Sequence, residues 1–323
     1  MALGTRVRLA AATLSAGLAL AAVACQAGGN TSVPASLPAN GTVATSGLNT
    51  PTTLSFGNTA QNIQKIQAVP FSGHFTFTFM GDNRDSSPFT SDGEKVYQQV
   101  IAKINQIRPD FAVNDGDFTY EGLLEHWQTF EQLTGAVQVP FLTVIGNHDA
   151  VLSRTYYELN YTPANPVTGL DDYTFTYGNT RFIALDDANQ SISPAQFTWL
   201  HQQLTAPGVQ NTIVMAHIPP SYGNWTRSEN LGAKDSSAFM ELMAQDHASL
   251  VLLSHTHLFD GSVSYKGVPY VVSGGAGADL DTPGWGQSLY HITQITVDGQ
   301  HITWEMIPVA ASAGQPVQTK QVR

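Results

Sequence analysis

The sequence has a single cysteine and few charged residues. Cys25 is the only cysteine among 323 residues, so no disulfide can form within one chain and no cysteine-based zinc site exists. Any bound metal ion must therefore be held by His, Asp, Asn or Tyr side chains. Charged residues make up 12% of the chain, and 14 Lys and Arg against 25 Asp and Glu give a formal net charge of −11. This acidic balance argues against duplex nucleic acid as a partner but leaves small phosphoester substrates open.

The first 24 residues resemble an export signal. Arg6 and Arg8 precede an Ala- and Leu-rich run from Leu9 to Ala24, which is too short for a convincing membrane span. The run ends in Ala-Val-Ala-Cys, similar to a bacterial lipobox, which predicts cleavage before Cys25 and lipidation of its thiol. The sequence thus predicts an exported cell-envelope lipoprotein, on the outer face of a membrane or in the periplasm. Ordinary signal cleavage, with Cys25 incidental, is the alternative and would give a secreted protein.

An uncharged segment separates this signal from the folded part. Residues 25–70 are mainly Ser, Thr, Asn, Gly, Ala and Pro, with no charge before Lys65, and such a composition predicts a flexible tether. The alternative is a poorly patterned first strand at Leu54 to Phe56. We assign residues 71–312 to one globular domain and residues 313–323 to a tail.

The globular part alternates between strands and helices. Alternating aromatic residues from Phe75 to Phe79 predict a strand with one buried face. Apolar stripes and capping signals predict four helices, at 92–108, at 121–134, from Ser193 and at 236–245. The other predicted strands are 111–113, 141–145, 173–177, 181–185, 212–215, 250–253, 268–272, 292–297 and 301–309. This order predicts an α/β fold with a partly parallel sheet covered by helices and a mixed second sheet from the C-terminal half.

Short polar motifs follow five of the predicted strands. They are Gly81-Asp82-Asn83-Arg84, Gly116-Asp117-Phe118-Thr119-Tyr120, Gly146-Asn147-His148-Asp149, Ala216-His217 and Ser254-His255-Thr256-His257. Strand ends of an α/β sheet meet at one rim, and buried polar groups there need partners such as a metal ion. Taken singly, each residue has a simpler explanation, such as a turn aspartate or a core histidine. Together, six residues predict a two-metal centre: Asp82, Asp117, Asn147, His217, His255 and His257.

In this order the motifs resemble those of the calcineurin-like metallophosphoesterases, over most of the globular part. The resemblance implies a four-layer α/β/β/α sandwich with two mixed β-sheets and two metal ions at the strand ends. The ligands it implies for one ion are Asp82 and His257, those for the other are Asn147, His217 and His255, and Asp117 is implied to bridge both.

The chain departs from the family pattern at two of the motifs. Arg84 stands where many members have a metal-binding histidine, and a guanidinium cannot ligate a cation. Tyr120 lies three residues after Asp117, and Gly-Asp-x-x-Tyr is similar to the second motif of purple acid phosphatases. This resemblance implies that Tyr120 binds iron(III) as a phenolate, with Fe, Zn or Mn as the second ion. Packing of Tyr120 on the sheet is the alternative. The last motif begins with Ser254 where that subgroup has glycine.

Three further motif residues are expected to act on the substrate. In the family the equivalent of His148 faces the leaving group, and Asp149 is expected to orient His148 through its ring N–H. Arg84 is expected to bind a non-bridging phosphate oxygen. The alternatives are that His148 only stabilises its turn and that Arg84 is a solvated loop residue.

The sequence therefore predicts an exported binuclear phosphoesterase that hydrolyses phosphomonoesters, with in-line attack by a hydroxide held between the two ions. The first alternative is a phosphodiesterase that acts on nucleotides or lipid head groups, since the same centre serves both reactions. The second is a surface lipoprotein that keeps the fold as a binding module without turnover. The complete ligand set argues against that second alternative, whereas the unusual first motif allows it.

Overall fold

The computed structural model describes residues 47–87, 90–309 and 318–321. The predicted export signal, Cys25 and the first part of the predicted tether lie outside these residues. Among the described residues, no helix is long and apolar enough to cross a membrane.

Helices and strands alternate along most of the chain. The helices are α1 (Thr59–Ala68), α2 (Asp92–Ile107), α3 (Leu124–Thr134), α4 (Asn147–Asn160), α5 (Pro194–Thr205) and α6 (Ala233–Gln245). The strands of the first half are β1 (His74–Met80), β2 (Phe111–Asp115), β3 (Phe141–Val144), β4 (Tyr173–Tyr177) and β5 (Thr180–Leu185). Those of the second half are β6 (Asn211–Ala216), β7 (Leu250–Leu253), β8 (Phe259–Asp260), β9 (Ser264–Tyr265), β10 (Val268–Ser273), β11 (His291–Asp298), β12 (His301–Pro308) and β13 (Gln318–Gln321).

The strands form two mixed sheets. The first has the order β13-β12-β11-β1-β2-β3, in which β1, β2 and β3 are parallel and β11 runs antiparallel to β1. The second has the order β4-β5-β6-β7-β10-β8, in which β5, β6, β7 and β10 are parallel, and β9 pairs with β10. Parallel neighbours end at the same edge of their sheet, so each sheet collects several strand ends on one side.

The two sheets pack face to face around an aromatic core. Phe75, Phe77 and Phe79 alternate along β1 and all enter this core, as the sequence pattern predicts. The Phe77 ring stacks on Phe111 with centroids 5.0 Å apart and meets Phe182 of the second sheet edge-on at 5.3 Å. Burial of these aliphatic and aromatic side chains holds the two sheets together.

Helices cover the outer faces of both sheets. A second core joins the apolar stripes of α2, α3 and α4 to the first sheet, and a third joins α5 and α6 to the second sheet. The fold is therefore the four-layer α/β/β/α sandwich that the family resemblance implied. The helices and strands predicted between residues 74 and 309 all form, with helix starts displaced by at most three residues.

Helix capping follows the sequence at one helix and not at another. The box predicted at α5 is present, because Ser193 Oγ accepts from Gln196 N at 3.2 Å and Gln196 Oε1 accepts from Ser193 N at 2.9 Å. At α2 the side chain of Ser91 makes no capping bond. Asp85 Oδ1 instead accepts from Glu94 N at 3.2 Å, so a residue from the preceding loop caps this helix.

The predicted tether over 25–70 is wrong for residues 47–70. Leu48, Leu54 and Phe56 are buried in the core beside α2 and α3, although no strand forms at Leu54 to Phe56. Helix α1 follows, packs against β3 and β4 and buries Ile66 between the sheets. Four apolar residues of this mostly polar segment are thus buried, so its mean composition is misleading. The predicted tail is also corrected, because Gln318–Gln321 pairs with β12 as strand β13.

Candidate metal centre

Five strand ends converge at one rim and bring the six predicted ligands together. One side-chain oxygen or nitrogen atom from each of Asp117, His217 and His255 lies within 4.8 Å of the other two, and the same holds for Asp82, Asp117 and His257. Asn147 joins the first group, because its Oδ1 lies 3.1 Å from His217 Nε2. Asp117 is common to both groups, which is the position that a carboxylate bridging two ions must have.

Both sheets contribute to this centre. Asp82, Asp117 and Asn147 follow β1, β2 and β3 of the first sheet, whereas His217 follows β6, and His255 and His257 follow β7, in the second. The first sheet therefore supplies oxygen donors, and the second supplies imidazole nitrogens. A centre of this kind forms only when the two sheets pack in the observed register.

The backbone at the strand tips is unusual. Asp82, Asp117 and His255 all have positive φ values, of 63°, 55° and 65°. The left-handed conformation costs a non-glycine residue about 1 to 2 kcal/mol, so other interactions must fix these turns. Gly116 also has a positive φ of 86°, and a Cβ atom there would lie 2.6 Å from His217 Nδ1. Close approach of the two sheets thus requires glycine at the second motif.

Four nitrogen atoms surround the Asp117 carboxylate. Its Oδ1 accepts from the His148 backbone N–H at 3.0 Å and lies 3.2 Å from His217 Nε2. Its Oδ2 lies 3.3 Å from Arg84 Nε and 3.9 Å from His148 Nε2. Burial acts to raise the pKa of Asp117, but the nearby His217 ring and the Arg84 guanidinium hold it well below its ordinary value. The group is therefore a carboxylate, the form that binds cations.

His217 is oriented so that one ring nitrogen faces oxygen atoms only. Its Nδ1 lies 2.6 Å from the Asp115 carbonyl oxygen, which can only accept, so Nδ1 carries a proton. Its Nε2 then faces Asp117 Oδ1 and Asn147 Oδ1. Burial acts to lower the pKa of His217, but the negative charge of Asp117 raises it well above its ordinary value. The surroundings of this ring therefore favour a positive charge. A metal ion can supply that charge and leave the imidazole neutral.

His257 and His255 also present donor atoms suited to a cation. His257 Nδ1 donates to the Asp279 carbonyl at 2.7 Å, which directs Nε2 to within 3.4 Å of Asp82 Oδ1. Asp82 Oδ1 is buried and has no hydrogen-bond partner among the described residues, and the same holds for His255 Nδ1. Burial and the neighbouring His217 hold the pKa of His255 well below its ordinary value, so this ring is neutral. Buried oxygen and nitrogen atoms that have a lone pair and no hydrogen-bond partner are suited to binding a metal ion.

Asp149 has a different role from the one the sequence suggested. The prediction that it orients the His148 ring is wrong, because its carboxylate accepts four backbone N–H groups instead. They belong to Gly146, Asp117, Phe118 and Thr119, at 2.8 to 3.0 Å. Asp149 therefore ties the loop after β2 to the first turn of α4. Among the described residues, His148 Nδ1 has no hydrogen-bond partner, and burial lowers the pKa of His148 to about 4, so the ring is neutral at pH 7.

Arg84 and Tyr120 lie together at the edge of the centre. The Arg84 side chain is 10% exposed, which rules out a solvated loop arginine, and its guanidinium carbon lies 5.3 Å from the Tyr120 ring centroid. The Tyr120 ring centroid is 5.6 Å from that of His148. Arg84 is thus placed to reach a group bound at the ions. Ligation by Tyr120 stays a prediction, as no contact of its hydroxyl with a proposed ligand is observed.

Sequence reasoning missed several residues that hold the ligands in place. Asp187 Oδ1 accepts the backbone N–H groups of His217 and Ile218 at 3.1 Å each, and burial raises its pKa to about 8. Asp281 Oδ2 accepts the His257 backbone N–H at 2.9 Å. Helix α4, which places Asn147 and His148 in its first turn, is not among the four helices that the sequence predicts. The available signal was a pair of acidic residues after a buried strand, Asp186 and Asp187 after β5, and this signal is weak by itself.

Comparison with known proteins places this site in a family. A protein-family model described as calcineurin-like phosphoesterase matches residues 74–259, which is more than half of the chain. The chain belongs to this family. The donor atoms clustered at the strand ends agree with the metal-dependent chemistry of this family.

Individual relatives of this calcineurin-like phosphoesterase are distant. A glycerophosphodiester phosphodiesterase of Enterobacter lignolyticus is 29% identical over 154 residues, which are 41% of this chain and 54% of that protein. A cAMP/cGMP dual specificity phosphodiesterase of Mycobacterium tuberculosis is 24% identical over 197 residues, 56% of this chain and 59% of that protein. The matches thus span little more than half of these relatives' own length.

A solved structure shares the fold. The purple acid phosphatase PPD1 from yellow lupin seeds superposes with a TM-score of 0.62 at 17% identity, over 79% of this chain and 55% of that one. At this identity the likeness concerns the fold alone.

Proposed function

We propose that this chain is a phosphodiesterase that hydrolyses small phosphodiesters at a two-metal centre formed by the six converging side chains. The observation that carries the proposal is the shared Asp117 carboxylate, which belongs to both groups of potential ligands. The two curated relatives described above are named as phosphodiesterases, and this supports diesters over the phosphomonoesters that the sequence motifs favoured.

The proposed ligands divide between two ions. Asp82 and His257 would hold one, Asn147, His217 and His255 would hold the other, and Asp117 would contact both. When bound, such ions act as Lewis acids that activate water and neutralise charge on the phosphoryl oxygens. The chain offers imidazole, amide and carboxylate donors, a set that suits Fe, Zn or Mn.

The chain's own side chains would bind and orient the ester. Arg84 reaches Asp117 Oδ2 at 3.3 Å, so its guanidinium can donate to a phosphoryl oxygen held beside that carboxylate. His148 is neutral at pH 7 and can donate one ring N–H to the leaving-group oxygen. Arg84 is the only Arg or Lys side chain that contacts Asp117 among the described residues, so it is the cationic side chain placed to meet a phosphoryl oxygen there.

Hydrolysis of two aryl esters tests this proposal. The full-length protein is loaded with Mn²⁺ and assayed on bis(p-nitrophenyl) phosphate and on p-nitrophenyl phosphate, with glycerophosphodiesters and cyclic AMP as further substrates. We expect kcat/KM for the diester to exceed that for the monoester at least about tenfold. A protein that binds two metal ions and hydrolyses neither ester would contradict the proposal and favour a binding module.

Phosphomonoester hydrolysis is the second candidate. It is favoured by the Gly-Asp-x-x-Tyr motif ending at Tyr120, which is similar to that of purple acid phosphatases. A higher kcat/KM for the monoester in the same assay would select this alternative.

A further inference from the structure

Asp115 and Ser254 meet directly beneath His217. Ser254 Oγ lies 2.9 Å from Asp115 Oδ2 and 2.9 Å from His217 Nδ1, and it also donates to the Asp115 carbonyl oxygen. The same carbonyl accepts from His217 Nδ1 at 2.6 Å. All three residues are completely buried. The three side chains therefore form one compact polar unit behind the proposed metal ligand.

This unit connects the two sheets. Asp115 is the last residue of β2 in the first sheet, whereas Ser254 directly follows β7 in the second. The sheets also contact each other through the apolar inner core and through other polar contacts, such as Thr293 Oγ1 to Ser273 Oγ at 2.9 Å. Gly81, at the tip of β1, leaves room for the serine, since a Cβ atom there would lie 2.6 Å from Ser254 Cβ and Oγ. The polar unit thus fixes the distance between the sheets at the edge that carries the ligands.

Burial of this polar unit lowers the stability of the folded protein, so a function is needed to explain it. Asp115 Oδ1 is buried and has no hydrogen-bond partner among the described residues. A buried carboxyl group with an unsatisfied oxygen lowers stability compared with an apolar side chain of similar shape. The Ser254 hydroxyl group bonds only to Asp115 and His217 among the described residues, so the end of β7 does not itself require it. The presence of Asp115 and Ser254 at these buried positions therefore calls for a functional explanation.

We propose that Asp115 and Ser254 are positioning residues that lock the His217 ring for metal binding. Ser254 holds the Asp115 carbonyl and carboxyl groups, and the carbonyl in turn fixes His217 Nδ1 as the protonated nitrogen. His217 Nε2 is then directed at Asp117 Oδ1 and Asn147 Oδ1, where the proposed ion lies. This inference rests on the metal centre of the proposed function.

Metal titration tests the inference without an activity assay. Mn²⁺ is titrated calorimetrically into metal-free full-length protein carrying Ser254→Ala, Asp115→Leu or Asp115→Asn. We expect the first two variants to bind Mn²⁺ about 10- to 100-fold more weakly, as is usual when a group behind a ligating histidine is lost. Asp115→Asn keeps an acceptor for Ser254 and is expected to bind within about threefold of wild type.

The double variant tests whether the two residues act as one unit. Ser254→Ala combined with Asp115→Leu is expected to bind Mn²⁺ about as weakly as the weaker single variant, because coupled residues are not additive. If the affinity loss of the double variant equalled the product of the two single losses, the residues would act independently. That result would overturn the proposed unit.

Ser273→Ala is the matched control. Ser273 is another buried serine at the end of a strand, and its Oγ contacts the ring of His291 at 3.0 Å, which is not a proposed ligand. We expect this variant to bind Mn²⁺ within about threefold of wild type. An equal loss of affinity in the control would overturn the inference, because it would reflect general loosening.

Wild-type affinity in Ser254→Ala also overturns the inference, and this conservative variant keeps the test valid if Asp115→Leu does not fold. Thermal unfolding of each metal-free variant shows which of them are folded. Failure of the proposed function looks different, since wild-type protein would then bind Mn²⁺ but hydrolyse no diester.

Discussion

Asp117 links the two halves of the centre at the scale of single residues. Its two carboxylate oxygens face His217 on one side and Arg84 on the other, and the left-handed backbone at this residue directs them to the middle of the rim. Without cations, His217 must be protonated to face two oxygens. The ligand atoms are thus arranged to surround a positive charge, which agrees with a metal centre.

The sharpest prediction at this scale concerns the loss of one ligand from the proposed ion that Asn147, His217 and His255 hold. Asn147→Ala or His217→Ala is expected to leave one ion instead of two and to lower hydrolysis at least about 100-fold, because the remaining donors are too few. Elemental analysis and initial rates measure both effects.

His201→Ala is the control for these variants. His201 lies on α5, is half exposed and pairs with Asp246 at 2.7 Å, away from the centre. Its metal content and rate are expected to match wild type. Full activity in either ligand variant would reject the assignment.

Tyr120 gives a spectroscopic prediction. If its phenolate binds iron(III), the iron-loaded protein absorbs visible light by charge transfer, and Tyr120→Phe loses this band. An absorption spectrum of each protein, with iron quantified, decides the point. A colourless iron-loaded wild type would reject ligation by Tyr120 and leave the other ligands unaffected.

At the scale of elements, the predictable part of the fold had a clear repeat. Strand β1 has aromatic residues at every second position, and α2 has apolar residues at helical spacing, so burial on one face followed from the sequence. Helix α4 was missed because its first residues are the polar Asn147, His148 and Asp149, which also read as a turn. Helix α1 was missed because its segment is mostly polar, and β13 because its burial depends on a partner strand.

The segment before β1 is expected to stabilise the domain. The Phe56 ring contacts those of Phe130, Phe141 and Tyr161 at centroid distances of 5.8 to 6.3 Å. Phe56→Ala is expected to lower the free energy of unfolding by about 3 to 5 kcal/mol, because it leaves a cavity in this core. Chemical denaturation measures the change.

Val69→Ala is the control at this scale, since Val69 is 48% exposed. It is expected to change the free energy of unfolding by less than about 0.5 kcal/mol. A similarly small effect of Phe56→Ala would mean that residues 47–70 are a tether after all.

At the scale of the whole molecule, the position of the chain in the cell stays a prediction. The apolar run to Ala24 and the lipobox-like end predict a lipid anchor at Cys25. Cys25→Ser is expected to move the protein from the membrane fraction to the soluble fraction when it is expressed in a bacterium. Fractionation and mass spectrometry measure this. Unchanged membrane attachment would count against the lipobox.

The ligand set could be predicted from sequence because each ligand lies within four residues after the end of an apolar strand, and strand ends meet at a rim. The contacts of the residues that surround the ligands could not be predicted from the sequence. The roles of Asp149, Asp115 and Ser254 depend on contacts between different strands and sheets, at separations of 30 to 139 residues. Motif spacing carries no information about such partners. Packing of the two sheets is what brings them together.

The central claim is that two sheets jointly hold two cations. Anomalous X-ray diffraction from crystals of the Mn²⁺-loaded protein tests it most directly. The account predicts two peaks on either side of the Asp117 carboxylate, one next to Asp82 and His257 and the other next to Asn147, His217 and His255. No peak at this rim, or peaks only elsewhere on the molecule, would contradict it.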